Sequence, residues 1–144
     1  MNKITCIFIF FMVLFPCHVN SQEQKYMILP VVSVYDGDTI KVDVKRMPFP
    51  LSKMAIRIRG IDTPELRRAK CLLERTKAFQ AKHFVMNIIG EKKTIRVYNF
   101  KWGKYGGRII GDVRVGGKDI GEELIKNFLA VPYQGYGPKH DWCN

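Results

Sequence analysis

The chain has 144 residues, 47% of them apolar, and carries 24 basic against 13 acidic side chains for a formal net charge of +11. That length supports one domain with a modest core and excludes a second. The charge points toward polyanionic partners, although lysine and arginine also serve plain solubility.

Residues 1–21 differ in composition from the rest of the chain. Lys3 gives a short basic start, the run from Ile4 to Phe15 is almost unbroken apolar, and Pro16 ends it. The run is shorter than the roughly 20 residues of a membrane-spanning helix. Val19 and Ser21 offer small-residue positions for cleavage before Gln22, so residues 1–21 are predicted to be a secretory signal peptide and 22–144 the working domain. A retained anchor is the competing reading. A lipidated Cys17 ranks below both, because Phe15 and Pro16 are poor residues to precede one. Cleavage leaves 23 basic against 13 acidic residues, a charge of +10, and takes Cys6 and Cys17 away. The remaining pair, Cys71 and Cys143, is expected to be bridged in an oxidising compartment, for about 4 kcal/mol in the chain-entropy model, with two free thiols as the alternative. Two distant cysteines with His83 and His140 lack the spacing of a zinc site.

Short β-branched or alternating runs predict strands at Tyr26–Leu29, Val31–Tyr35 and Thr39–Lys45, separated by Pro30 and by the turn pair Asp36-Gly37. A proline-rich loop at 46–50 precedes a strand over Lys53–Gly60, where Ile56 and Ile58 alternate with Arg57 and Arg59 and so face the opposite side. After Pro64 the period becomes helical. Leu72, Thr76, Phe79, His83 and Met86 form the apparent stripe and Gly90 the stop, with His83 read as a packed or half-buried histidine rather than a ligand. Lys93–Phe100 and Arg108–Val115 read as strands, the second turned by Gly116-Gly117, and Ile120–Leu129 as a short helix before an irregular tail. These elements predict an α+β domain, a five-stranded Greek-key barrel of the oligonucleotide-binding type with two packed helices.

Two stretches carry the chemistry, and each alone has a structural explanation. In Asp62-Thr63-Pro64-Glu65, Asp62 can cap a helix, with Pro64 at its first position and Glu65 closing a capping box. In Asp36-Gly37-Asp38-Thr39, the acids can be ordinary turn residues. The combination shifts the balance: Asp38 and Asp62 at the ends of two strands, Glu65 three residues on, and arginines at 57 and 108. Hard divalent cations take carboxylate and carbonyl oxygens. Phosphodiester cleavage needs such a cation, a base for water and donors aimed at the charge that builds on the phosphoryl oxygens.

The segments VVSVYDGDTIKV, IRIRGIDTPE, GKYGGRIIGDV and GKDIGEELIKNFLA occur in the order and rough spacing of the staphylococcal nuclease family, which the chain resembles over about residues 31 to 138. The resemblance implies that Asp38, Asp62 and the backbone carbonyl of Thr63 hold a calcium ion. It implies that Glu65 is the general base on the attacking water and that Arg57 and Arg108 contact the scissile phosphate. Lys104 and Tyr105 would reach a terminal phosphate and Tyr136 would line the nucleotide pocket, with Tyr133 one residue out of register. It further implies a calcium-dependent endonuclease that cuts DNA and RNA to 3′-phosphate and 5′-hydroxyl ends. With the expected signal peptide the protein is predicted to be secreted or periplasmic, and a monomer is expected because nothing in the sequence suggests an obligate oligomer. Arg59 matches no functional position and reads as surface charge. One extra glycine precedes Arg108, and the staphylococcal protein continues into a third helix where this sequence reads Asn144. A Cys71–Cys143 bridge is expected to tie down the tail in that helix's place. The rival readings are a catalytically silent nucleic-acid-binding module of the same fold and a basic domain that binds acidic polymers or lipid.

Overall fold

The computed structural model describes residues 25–49 and 52–144; the expected signal peptide lies outside them. In chain order the elements are β1 (Tyr26–Asp36), β2 (Thr39–Asp43), β3 (Lys53–Ile58), β4 (Ile61–Asp62), α1 (Leu72–Ile89), β5 (Thr94–Trp102), β6 (Arg108–Val115), β7 (Lys118–Asp119), α2 (Ile120–Lys126) and β8 (Val131–Pro132). One 3-10 turn, Gly90–Lys92, follows α1.

The strands pair in the order β3-β2-β1-β5-β6-β7, and a further parallel pairing of β3 with β6 closes five of them into a barrel. The α+β barrel with two helices is thus the fold expected from the sequence. Alternation does the sorting: Met54, Ile56 and Ile58 of β3 and Ile109 and Val113 of β6 are buried inside, with Ile40, Val42, Ile95 and Val97. Helices α1 and α2 add Val85, Ile89, Ile120 and Leu124 to the same core.

Three expectations need correction. Pro30 does not divide two strands: β1 runs through it, pairing with β5 as far as Pro30 and with β2 from Val31 onward. Because the strand changes partner there, the missing proline N–H interrupts neither ladder.

Helix α1 does not begin at Pro64. Asp62 belongs to β4, opposite Val131 of β8, and lies well before the first helical residue, Leu72, so it caps no helix. Cys71 is the N-cap instead, its sulfur accepting from the Glu74 amide at 3.3 Å.

The buried face of α1 is also different. Glu74, Ala78, Ala81, Val85 and Ile89 point inward, whereas Leu72, Phe79 and Met86 are exposed and His83 lies on the surface. Midway along the inward face Ala78 and Ala81 are small, and the β1–β2 turn packs closely on Ala81. A Cβ built on Gly37 would stand 2.8 Å from Ala81 Cβ and 3.0 Å from Thr63 Cγ2. Gly37 is therefore needed for close approach. Replacement of Gly37 by alanine is expected to destabilise the fold by about 1–3 kcal/mol through overpacking, read as a lower urea midpoint with unchanged slope.

Candidate active site

Closing the barrel through β3 and β6 sets Ala55 opposite Arg108 and Arg57 opposite Ile110. Arg57 and Arg108 therefore emerge on the outer face of adjacent strands, while Ile56, Ile58 and Ile109 fill the inside. Both arginines line a cleft of about 990 Å³, together with Glu65, Lys104, Tyr105 and Trp102.

Beneath Arg57 lie the acids. Asp38 is 2% exposed, Asp62 1% and Thr63 3%. Asp38 sits in the two-residue turn between β1 and β2, its carbonyl accepting from Ile58 N at 2.8 Å and its Oδ1 from Thr39 Oγ1 at 2.9 Å. Arg57 is ion-paired to Asp38 through one terminal nitrogen, and its other is 3.8 Å from Asp62 Oδ1 and donates to the Ile61 carbonyl at 3.3 Å. A guanidinium suits this position because its fork addresses two carboxylates and stays charged. One residue that sequence reasoning assigned to a turn joins the group. Asp36 is buried, its Oδ1 has no hydrogen-bond partner, and its pKa is pushed up to about 7, first by burial and then by the negative charge of Asp38.

Glu65 projects into the cleft, and its backbone N–H donates to Glu74 Oε1 at 3.2 Å. The other Glu74 oxygen accepts from Lys70 N at 2.6 Å, so this buried carboxylate moulds the 65–70 segment. The tail contributes what the motifs did not indicate. Lys139 Nζ lies 2.7 Å from Glu65 Oε1 and 3.2 Å from Asp62 Oδ1. Trp142, 5% exposed, directs Nε1 toward Asp62 Oδ2 at 3.5 Å. Burial works against the Lys139 charge, but hydrogen bonds to Glu65 and Asp62 and their charges outweigh it, and its pKa is raised. The one signal in the sequence was proximity: Lys139 and Trp142 stand within four residues of Cys143, which is bonded to Cys71 as expected.

The remaining assignments divide. Lys104 and Tyr105 line the cleft as expected, and the Arg108 guanidinium stands 5.6 Å from the Tyr105 ring centre. Tyr136 does not line it. The turn through Gly135 and Gly137, both at positive φ, carries Tyr136 out to 78% exposure. Tyr133 lines the cleft instead, held by Tyr133 N–H to the Gly60 carbonyl at 2.8 Å and Tyr133 O–H to the Gly137 carbonyl at 3.2 Å. Arg59 is structural, forking onto Asp112 at 2.9 and 2.5 Å.

A comparison with family models matches residues 55–142 to the staphylococcal nuclease homologue family. The chain belongs to that family. Compared with curated proteins, it has no significant match. The family match covers Arg57, Asp62, Glu65, Arg108, Lys139 and Trp142 but begins after Asp38, whose place beside the cleft rests on its ion pair with Arg57. Membership in a nuclease family makes nucleic acid the substrate class and accounts for the basic lining of the cleft.

The family implies a divalent cation. Asp38, Asp62 and the Thr63 carbonyl offer oxygens only, a donor set that suits a hard cation, and the buried Asp62 Oδ1 faces Lys139 Nζ at 3.2 Å and Arg57 at 3.8 Å. Among the described residues no three His, Cys, Asp or Glu side chains group closely enough to hold a metal. The Thr63 carbonyl would therefore have to join the two carboxylates.

The Asp36 carboxyl gives a pH signature. Its folded pKa, about 7, exceeds the ordinary 3.8, so the folded chain keeps a proton that the unfolded chain releases. The stability from this group is complete below about pH 4 and is lost as pH rises through 7. In chelator, Asp36→Asn is expected to exceed wild type in unfolding free energy at pH 7 by on the order of a few kcal/mol, and to lose that advantage toward pH 4. Parallel curves in urea denaturation would contradict the assignment.

Proposed function

We propose that the protein is a secreted or periplasmic, calcium-dependent endonuclease that hydrolyses DNA and RNA to 3′-phosphate and 5′-hydroxyl ends. The observation that carries this reading is the convergence of Glu65, Arg57 and Arg108 on one basic cleft above the buried Asp38 and Asp62. The Cys71–Cys143 disulfide supports an oxidising compartment. No helix among the described residues is long and apolar enough to cross a membrane.

In this mechanism the Glu65 carboxylate takes a proton from water as the water oxygen attacks phosphorus. Arg57 and Arg108 donate to the non-bridging oxygens, which gain charge as the water oxygen adds to phosphorus; the bond to the 5′ oxygen then breaks, and that oxygen takes a proton from solvent to become the 5′-hydroxyl. Calcium, held by Asp38, Asp62 and the Thr63 carbonyl, would supply further charge neutralisation on the phosphate. Lys104 and Tyr105 bind the strand beyond the scissile bond. Trp102, 65% exposed at the end of β5 and lining the cleft beside Lys104, offers a ring on which an unpaired base can stack.

The decisive assay incubates residues 22–144 with single-stranded DNA and RNA in calcium, magnesium and chelator, and identifies the ends. Calcium-dependent cutting with 3′-phosphates is expected, and Glu65→Gln should lower the rate by roughly 10²–10⁴-fold while sparing binding. Salt-sensitive binding without cutting in any metal would instead indicate the silent binding module. Independently, Trp102→Ala should raise KM for single-stranded substrate by about 5–100-fold with little change in kcat, and Trp102→Phe should restore most of it.

A further inference from the structure

The tail closes a ring of contacts around the acids. From Cys143, bonded to Cys71, the path runs to the N-cap of α1, whose Glu74 carboxylate holds the Glu65 backbone. It returns through the Glu65 side chain to Lys139, and through Asp62 to Trp142, next to Cys143. Between its anchors the tail has little of its own to hold it. The β8 strand is two residues long, and the segment from Gly135 to His140 is exposed and contains two glycines at positive φ. A lysine on such a segment keeps one position only if the segment is fixed at both ends, because its long side chain is costly to order.

We propose that the Cys71–Cys143 bridge is a catalytic tether: it seats Lys139 and Trp142 against Glu65 and Asp62, making Lys139 a positioning residue and full activity a property of the oxidised chain. The proposal rests on the nuclease reading above. Glu65 has a side chain 40% exposed on the cleft wall, and Lys139, at 2.7 Å, is the one side chain among the described residues ion-paired with it. The same ammonium faces Asp62, so it restrains two like-charged carboxylates and offsets their mutual repulsion. A general base displaced by about 1 Å loses on the order of 10²-fold in rate, because the proton transfer needs a fixed geometry. Lys139 itself is 47% exposed and contributes little to the core, so its replacement leaves the fold in place.

The test compares Lys139→Met, Lys139→Arg, the pair Cys71→Ser with Cys143→Ser, and the combination of that pair with Lys139→Met. Cleavage of single-stranded DNA is followed for kcat and KM, and binding is followed in chelator by fluorescence anisotropy. Lys139→Met and the serine pair should each lower kcat by about 10–100-fold with KM and binding nearly unchanged. Lys139→Arg should recover most of the loss. The combination should be no slower than either alone, since both act through the seating of one side chain. Dithiothreitol should slow the wild type by the same factor and leave the serine pair unaffected. Should the serine pair fail to fold, the Lys139 variants and the reductant series on wild type still decide. An unchanged kcat in Lys139→Met, or losses that multiply in the combination, would overturn the tether. A wild-type chain that cuts nothing in any divalent cation would overturn the nuclease reading itself, which is a separate result.

Discussion

The parallel pairing of β3 with β6 closes the barrel, and the cleft depends on that closure. Without it, Arg57 and Arg108 would lie on strands far apart in sequence with no reason to face one substrate. With it, the inward isoleucines fill the core and the alternate positions project two guanidinium groups from one outer surface. Packing and function thus use opposite faces of the same two strands, which is why the arginines need no special loop to hold them.

Burial of the acids under Arg57 follows from the same closure. Three carboxylates, those of Asp36, Asp38 and Asp62, are withdrawn from water within one small region. Such a concentration of negative charge is costly unless cations face it. Arg57 supplies one from the barrel and Lys139 supplies another from the tail. Even so, the Asp36 carboxyl resists ionisation, and its buried Oδ1 has no hydrogen-bond partner. Sites retained at that cost are characteristic of function rather than of stability.

The tail takes part in the site although it has almost no regular structure. One short antiparallel pairing, one disulfide and one buried indole hold it. The fold uses a covalent link to the N-cap of α1. That link also fixes the distance between the tail and Glu65.

Much of this was determined by the sequence alone. Alternation in the strand around Arg57 and the stop at Gly90 follow from local chemistry, and the four motifs in register indicate the family. The turn falls at Gly37-Asp38, one residue beyond the pair read from the sequence, and the Cys71–Cys143 bridge is expected from the sequence with two free thiols as the alternative. What went astray has a common physical origin. The capping signature at Asp62 was real as a local preference, but β8 recruits that backbone into a ladder, and tertiary hydrogen bonds override it. The large apolar stripe of α1 looked like the core face, yet the face that packs inward carries Glu74, Ala78, Ala81, Val85 and Ile89, with Ala81 where Gly37 approaches closely. Tyr133 lines the cleft, whereas Tyr136, between two glycines at positive φ, is exposed. Lys139 and Trp142 have no periodic signal, since they meet Glu65 and Asp62 only when a barrel closure and a disulfide bring distant segments together, and the burial of Asp36 beside Asp38 and Arg57 likewise needs the folded chain. Local sequence sets the faces, turns and charges; which faces meet depends on long-range closure, and that is decided only in the folded chain.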